Sequence, residues 1–211
     1  SHGIAGALQK RAGFMPAEEM KRFEPRPPGG DPSYDHVAEL YDAAFVDIRV
    51  RRDEWKWLNE HLPAEPFDML DIGCGNGALL YALRGRISSG RGVDESAAII
   101  ERARIKNADQ PHIAFEKING PLLPFPDDSF DIVTSLMSFR YLDWDPLLAE
   151  IKRVVRPGGK FLVIDMVTVP PKLGEYPRLL ADKVKEIRGR RASPEFNAAL
   201  ARLVSHPDWK K

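Results

Sequence analysis

The stretch Asp68–Leu80, "DMLDIGCGNGALL", decides the fold. A hydrophobic run breaks into glycines at alternate positions, Gly73, Gly75 and Gly77, with the acid Asp71 just before them, then resumes with helical spacing. Glycines weaken regular elements, so a cluster between two elements marks a backbone that turns sharply or is closely approached. "FDMLDIG" reads as a buried strand and "GALLYALRGRI" as the helix that follows it.

The same alternation continues downstream. "GRGVDES", "HIAFEKI", "FDIVTSLMSF" and "GGKFLVIDMVTV" read as four more strands, the last after a Pro-Gly-Gly turn, with "AAIIERARIKNA" and "DPLLAEIKRVVRP" as helices between them. Such alternation implies right-handed crossovers and a mostly parallel sheet covered on both faces, a doubly wound α/β domain. Upstream, "YDHVAELYDAAFVDI" and "RDEWKWLNEHL" have helical spacing. After Val169 the alternation stops, and "LGEYPRLLADKVKEIRGRR" and "SPEFNAALARLVSH" read as helices. The chain thus divides into an arm with a Pro- and Gly-rich linker (1–33), the alternating domain with its leading helices (34–169), and a helical segment (170–211).

A chain of 211 residues, 43% hydrophobic and 29% charged, suits one soluble globular domain. Lys plus Arg and Asp plus Glu both number 31, which gives no basic surplus for a nucleic-acid partner. No apolar run approaches the roughly 20 residues that span a bilayer. With a single cysteine, Cys74, and no secretory signal pattern, a cytoplasmic location is expected. The histidines His36, His61, His112 and His206 lack metal-ligand spacing, so no metal is expected.

In open α/β sheets, ligands sit outside the carboxyl ends of the strands, where the glycine turn lies. Its glycines make room for a ligand, and the N–H groups opening the next helix can receive a polar or anionic group. A dinucleotide fingerprint spaces its glycines G-x-G-x-x-G; this turn is G-x-G-x-G, one residue tighter. Asp94 ends the second strand, and a carboxylate there can take a pair of hydroxyl donors. Capping the next helix is the competing reading, although Glu95 or Ser96 could cap equally well. Cys74 reads as a small packed residue rather than a nucleophile.

Four pieces in order, "LDIGCGNG", "GVDES", "LLPFPDDSFDIVTS" and "EIKRVVRPGGKFLVID", make residues 67–167 resemble the class I S-adenosylmethionine-dependent methyltransferases. The resemblance implies a Rossmann-like fold, S-adenosylmethionine as cofactor and methyl transfer to a small molecule. It puts Asp71 near the cofactor's amino-acid end, with Gly73, Cys74 and Gly75 along its methionine portion. Asp94, with Glu95 beside it, falls at the ribose hydroxyls. Asn119 stands where the family has an acid near the adenine, and Gly120 leaves space for the base. Leu136 also falls at the cofactor. Tyr34 and Tyr41 resemble the N-terminal helix that closes over the cofactor in many such enzymes, Tyr41 fitting equally as core.

The residues after the fourth strand, "SLMSFRYLDW", face the reacting methyl in such folds, which makes Arg140 and Tyr141 the catalytic candidates. Many relatives carry histidines at these two places. Ubiquinone and menaquinone C-methyltransferases instead carry an arginine at the first, and an asparagine where Asn119 stands; this likeness implies a phenolic or quinone-like acceptor. Arg140 would orient an acidic or phenolate oxygen as a fork of donors, or simply anchor a loop. A catalytically silent module that binds the cofactor as a regulatory or interaction subunit is the alternative. The family's usual closing pair of antiparallel strands is missing from the sequence pattern. Either the chain lacks its natural C-terminus, or a helix, the N-terminal arm or another subunit covers the fifth strand, whose hydrophobic edge would suit a homodimer.

Overall fold

The expected central strand is β1, Phe67–Ile72. Phe67 and Met69 belong to one apolar cluster, Leu70 and Ile72 to another, and all four are buried, as a strand covered on both faces requires. The computed structural model describes residues 38–45, 47–165 and 194–207. Within them, β1 pairs in parallel with β2 (Ile87–Asp94) on one side and β4 (Phe130–Leu136) on the other. β3 (Ile113–Lys117) and β5 (Val155–Ile164) extend the sheet to the order β3-β2-β1-β4-β5.

The helices are α1 (Ala38–Ala44), α2 (Arg52–His61), α3 (Ala78–Leu83), α4 (Ala97–Lys106), α5 (Trp144–Val154) and α6 (Pro194–Ser205). Leu58 of α2, Leu80 and Leu83 of α3 and Ile100 of α4 join the cluster of Phe67 and Met69. Leu147, Ile151 and Val154, spaced four and three apart on α5, close the opposite face over Leu70, Ile72 and Val133. The chain runs outward from β1 to β3, then crosses to β4 and β5 on the other side. Strand order therefore reverses at β1, the topological position where a ligand crevice opens at the carboxyl ends.

Several element boundaries differ from the sequence pattern. α3 stops at Leu83, and β2 begins at Ile87 rather than Gly90, because Ile87 is buried and pairs with Phe67. Gly90 lacks the Cβ that would meet Ile87 Cδ1 at 2.9 Å, so strand and core side chain fit together. The Pro-Gly-Gly sequence is a bulge rather than a separate turn. Val155 pairs with Phe130 and Lys160 with Ile132, so four residues of β5 loop out opposite one of β4. β4 ends at Leu136, where Met137 takes a positive φ of 61° and its N–H donates to Ile164 O at 2.6 Å.

Among the described residues the sheet is wholly parallel, and no helix is long and apolar enough to cross a membrane. The arm and linker, the first four residues of the "YDHVAEL" helix with Tyr34, and the helix expected over 173–191 lie outside the described residues.

α6 packs on α1. Leu203, fully buried, meets Ala44, with Leu40, Tyr41, Phe45 and Ala199 around them. Truncating Leu203 therefore loosens α1 while leaving the sheet core whole. For Leu203→Ala, hydrogen exchange at the Leu40–Phe45 amides is expected to speed up at least about tenfold, the loss of a buried leucine costing about 2–5 kcal/mol. The β1 and β4 amides should keep their protection; equal acceleration throughout the sheet would contradict this division.

Candidate functional site

The glycine turn is held by the end of β2. The N–H groups of Gly73 and Cys74 both donate to Val93 O, at 2.8 and 3.0 Å, and Gly75 N–H donates to Asp94 Oδ2 at 3.1 Å. Bending the chain back this way puts Gly73 at φ 69° and Gly75 at φ 54°, a region that side-chain-bearing residues rarely occupy. The other Asp94 oxygen, Oδ1, accepts from Ser96 N–H at 3.0 Å. Ser96 itself caps α4, its Oγ accepting from Ile99 N–H. Asp94 thus braces the turn and the helix entrance with one bond per oxygen, and a carboxylate retains further lone pairs beyond these. Loss of solvent raises its carboxyl pKa, against the lowering by the Ser96 and Gly75 N–H groups.

Asp71 is 3% exposed and accepts from Thr134 Oγ1 at 2.7 Å across the β1–β4 pair. Burial pushes its carboxyl up to about 7; the nearby Asp94 charge acts in the same direction and the Thr134 hydroxyl against it. Burial likewise pushes the Cys74 thiol well up, which suits a packed residue and not a nucleophile. Beyond β3, Asn119 is exposed and Gly120 has φ 95° with open space where a Cβ would stand. Ile118 N–H donates to Asp94 O at 3.0 Å, which joins this end of β3 to the same edge. Glu95, half-buried, sits beside Asp94 on that edge.

The expected open hollow over the glycines needs correcting. The chain's own side chains take the space that a Cβ would fill: Ser138 lies against Gly73, and Tyr41 Oη is 2.8 Å from where a Gly75 Cβ would be. A cleft of about 50 Å³ remains, and its walls include Tyr41, Phe45, Asp71, Cys74, Leu136 and Met137. That is well below the roughly 300–1,000 Å³ of a typical small-molecule site. The structure therefore brings Tyr41, Asp71, Gly73, Cys74 and Leu136 to one cleft. Asp94, Glu95, Asn119 and Gly120 follow along the adjoining strand ends, outside its walls.

Three participants were invisible to spacing rules. Asn76, 2% exposed, donates through Nδ2 to Asp42 Oδ1 at 2.8 Å and Phe45 O at 2.9 Å, hooking α1 onto the turn. Ser138 donates to Ile72 O and hydrogen bonds Ser135. Asp165, just past β5, receives Arg140. That residue and Tyr141 lie on a short 3-10 turn, Phe139–Tyr141, after β4. The bonds of Asn76 to Asp42, of Ser138 to Ile72 and of Asp165 to Arg140 join residues far apart in the chain; each of the three stands in a stretch quoted above, but nothing in those stretches announces its partner. No group of three metal-ligating side chains occurs among the described residues.

The glycine-rich turn, braced by a strand-end carboxylate, lies at the reversal of a parallel sheet, the position at which open α/β sheets take their ligands. Residues 70–163 match the family model described as a methyltransferase domain. The demethylmenaquinone methyltransferase of Thermus thermophilus is 31% identical over 173 residues, covering 79% of this chain and 76% of that protein. The enzyme of the same name from Symbiobacterium thermophilum is 33% identical over 63% of this chain and 57% of its own length. The 2-phytyl-1,4-naphtoquinone methyltransferase of Trichormus variabilis is 32% identical over 63% of this chain and 62% of its own length. The crystal structure of the [4+2]-cyclase SpnF, 21% identical, superposes with a TM-score of 0.59 over 67% of this chain and 62% of that one, a likeness of fold. The chain belongs to the class I S-adenosylmethionine-dependent methyltransferases, whose cofactor is S-adenosylmethionine.

The buried Asp71 carboxylate generates a test. With its folded pKa above the unfolded value, the native state holds the proton more tightly, so ionisation costs stability as the pH rises from about 4 through about 7. Asp71→Asn keeps an acceptor for Thr134 and removes the charge. It is expected to stabilise the fold at neutral pH by on the order of 2–4 kcal/mol, with the gap over wild type closing near pH 4. Urea titrations at the two pH values check this; a variant less stable at neutral pH would show that burial of the Asp71 charge carries no such penalty.

Proposed function

We propose that this chain transfers a methyl group from S-adenosylmethionine to a phenolic or quinone-like small molecule. The observation that carries the cofactor half is Asp94, braced by Gly75 N–H and Ser96 N–H while keeping acceptor capacity at the crevice edge. The donor set fits the ligand: Asp94 would take the sugar hydroxyls, and exposed Asn119 beside the open space at Gly120 would meet the base. Glu95 would border the sugar, and Leu136 would offer an apolar wall. Asp71, Gly73, Cys74 and Gly75 would line the amino-acid end, with Tyr41 of α1 covering it. The small free volume supports a fit only after Tyr41 withdraws from Gly75.

S-adenosylmethionine, when bound, would supply a methyl carbon activated as a sulfonium, for displacement by an electron pair of the acceptor with the thioether as leaving group and the acceptor's proton going to solvent. The chain's part is mainly placement, which can supply large effective molarities. Leu136 and Met137 would keep water from the reacting end, which favours a step that loses charge. Arg140 and Tyr141 would offer donors to the acceptor oxygen. The quinone names of the relatives support a ring acceptor.

Calorimetry tests the first half: S-adenosylmethionine is expected to bind wild type in the micromolar range, and Asp94→Asn to weaken binding by about tenfold to a hundredfold, as for the loss of a charged hydrogen-bond acceptor. Unchanged affinity in Asp94→Asn would sink the assignment. Transfer of labelled methyl from S-adenosylmethionine to a naphthohydroquinone is expected and tests the acceptor half; a chain that binds the cofactor but methylates no phenolic or quinol ring would overturn it.

A further inference from the structure

Asp165 changes what Arg140 can recognise. Its Oδ2 accepts the Arg140 backbone N–H at 2.8 Å, and its Oδ1 is bonded to the Arg140 guanidinium. The same guanidinium donates through Nη2 to Tyr141 Oη at 2.8 Å and lies 4.3 Å over the Tyr141 ring centroid. The two side chains of the pair are only 22% and 12% exposed, so solvent screens their attraction weakly. The turn that carries them is fixed from its other side. Phe139 stacks on Trp144 at 5.6 Å and meets Phe161 edge-on at 5.5 Å, and Trp144 Nε1 donates to Phe139 O at 2.8 Å. Arg140 is therefore a held group with a matched charge, at the carboxyl end of β4 where strand order has reversed.

An unmatched arginine is a strong receptor for carboxylate and phosphate, which it grips with two parallel donors. Here one carboxylate already holds that position. A second anion would be brought beside Asp165, where like charge opposes it; a neutral hydroxyl or a ring carbonyl meets the remaining donors without that repulsion. We propose that Asp165 is a positioning residue that sets the charge class of the acceptor, favouring neutral hydroxyl-bearing rings over carboxylate-bearing ones. This rests on the reading that the ends of β4 and β5 face the acceptor.

The test uses two rings of one shape, 1-naphthol and 1-naphthoate, titrated into the full chain saturated with S-adenosylhomocysteine at neutral pH. Wild type is expected to bind the naphthol at least about tenfold more tightly than the naphthoate, and Asp165→Asn to shrink that ratio about tenfold, chiefly by tighter naphthoate binding to the released guanidinium. Asp165→Glu, which keeps the charge, should retain the wild-type preference. Calorimetric affinity for S-adenosylhomocysteine and melting temperature, followed in every variant, register general damage. Equal weakening of both rings in Asp165→Asn, an unchanged ratio, or a cofactor-loaded wild type that binds neither ring overturns the inference and leaves the cofactor assignment standing. A wild type that binds no cofactor overturns the proposed function, and this inference with it.

Discussion

Gly73 and Cys74 give their N–H groups to one carbonyl, Val93 O, and Gly75 gives its own to the carboxylate of the next residue, Asp94. Three consecutive amides thus point at the end of the neighbouring strand, which forces the backbone through positive φ at Gly73 and Gly75. Ile118 N–H then donates to Asp94 O, so the ends of β1, β2 and β3 form one hydrogen-bonded edge. Each of these bonds is worth about 1 kcal/mol net, yet together they fix where the Asp94 carboxylate stands relative to the turn. A carboxylate placed by backbone bonds does not depend on side-chain packing, and its position carries the sugar-binding assignment.

The two sides of the crevice carry opposite electrostatic arrangements. Around β1 and β2, Asp71 and Asp94 share a poorly solvated region, and burial raises both carboxyls. Such an arrangement costs stability in the ligand-free fold and suits a cationic ligand, the trade-off expected where function needs unpaired charge. Beyond β4 and β5 the charges are matched instead, Arg140 against Asp165.

The strands, their order of appearance and the acid at the end of β2 were legible because each is written in local pattern: apolar runs, turn residues and a motif of fixed spacing. What escaped depends on distance. Ile87 joins β2 because it pairs with Phe67, and nothing in "GRISSG" announces that pairing. The Pro-Gly-Gly sequence has the chemistry of a turn, but the ladder to β4 resumes at Lys160, which makes it a bulge. The glycines were read as space for a ligand. Their missing side chains equally admit Ser138 and Tyr41, residues 65 and 34 positions away from their contacts at Gly73 and Gly75. Arg140 was legible as a donor, whereas its partner Asp165, 25 residues on, was hidden in the end of an apolar strand.

The covering of the turn by α1 also has a graded cost of removal. Glu39–Arg102 is an exposed ion pair, and such pairs contribute at most about 1 kcal/mol, whereas Asp42–Lys106 is half-buried. Leu203 and Ala44 anchor an apolar patch that moves with α6 as readily as with the sheet, since both partners lie on the two covering helices. The two Asn76 bonds, to Asp42 and to Phe45 O, and the seat of the Tyr41 ring at Gly75 tie α1 and its end directly to the turn. Separating α1 from the turn therefore exposes the buried Asn76 amide and the Tyr41 ring, while the bonds from Gly73, Cys74 and Gly75 to the end of β2 stay in place. The backbone bonds that place the Asp94 carboxylate and the Asn76 bonds that hold α1 are therefore separate sets of contacts.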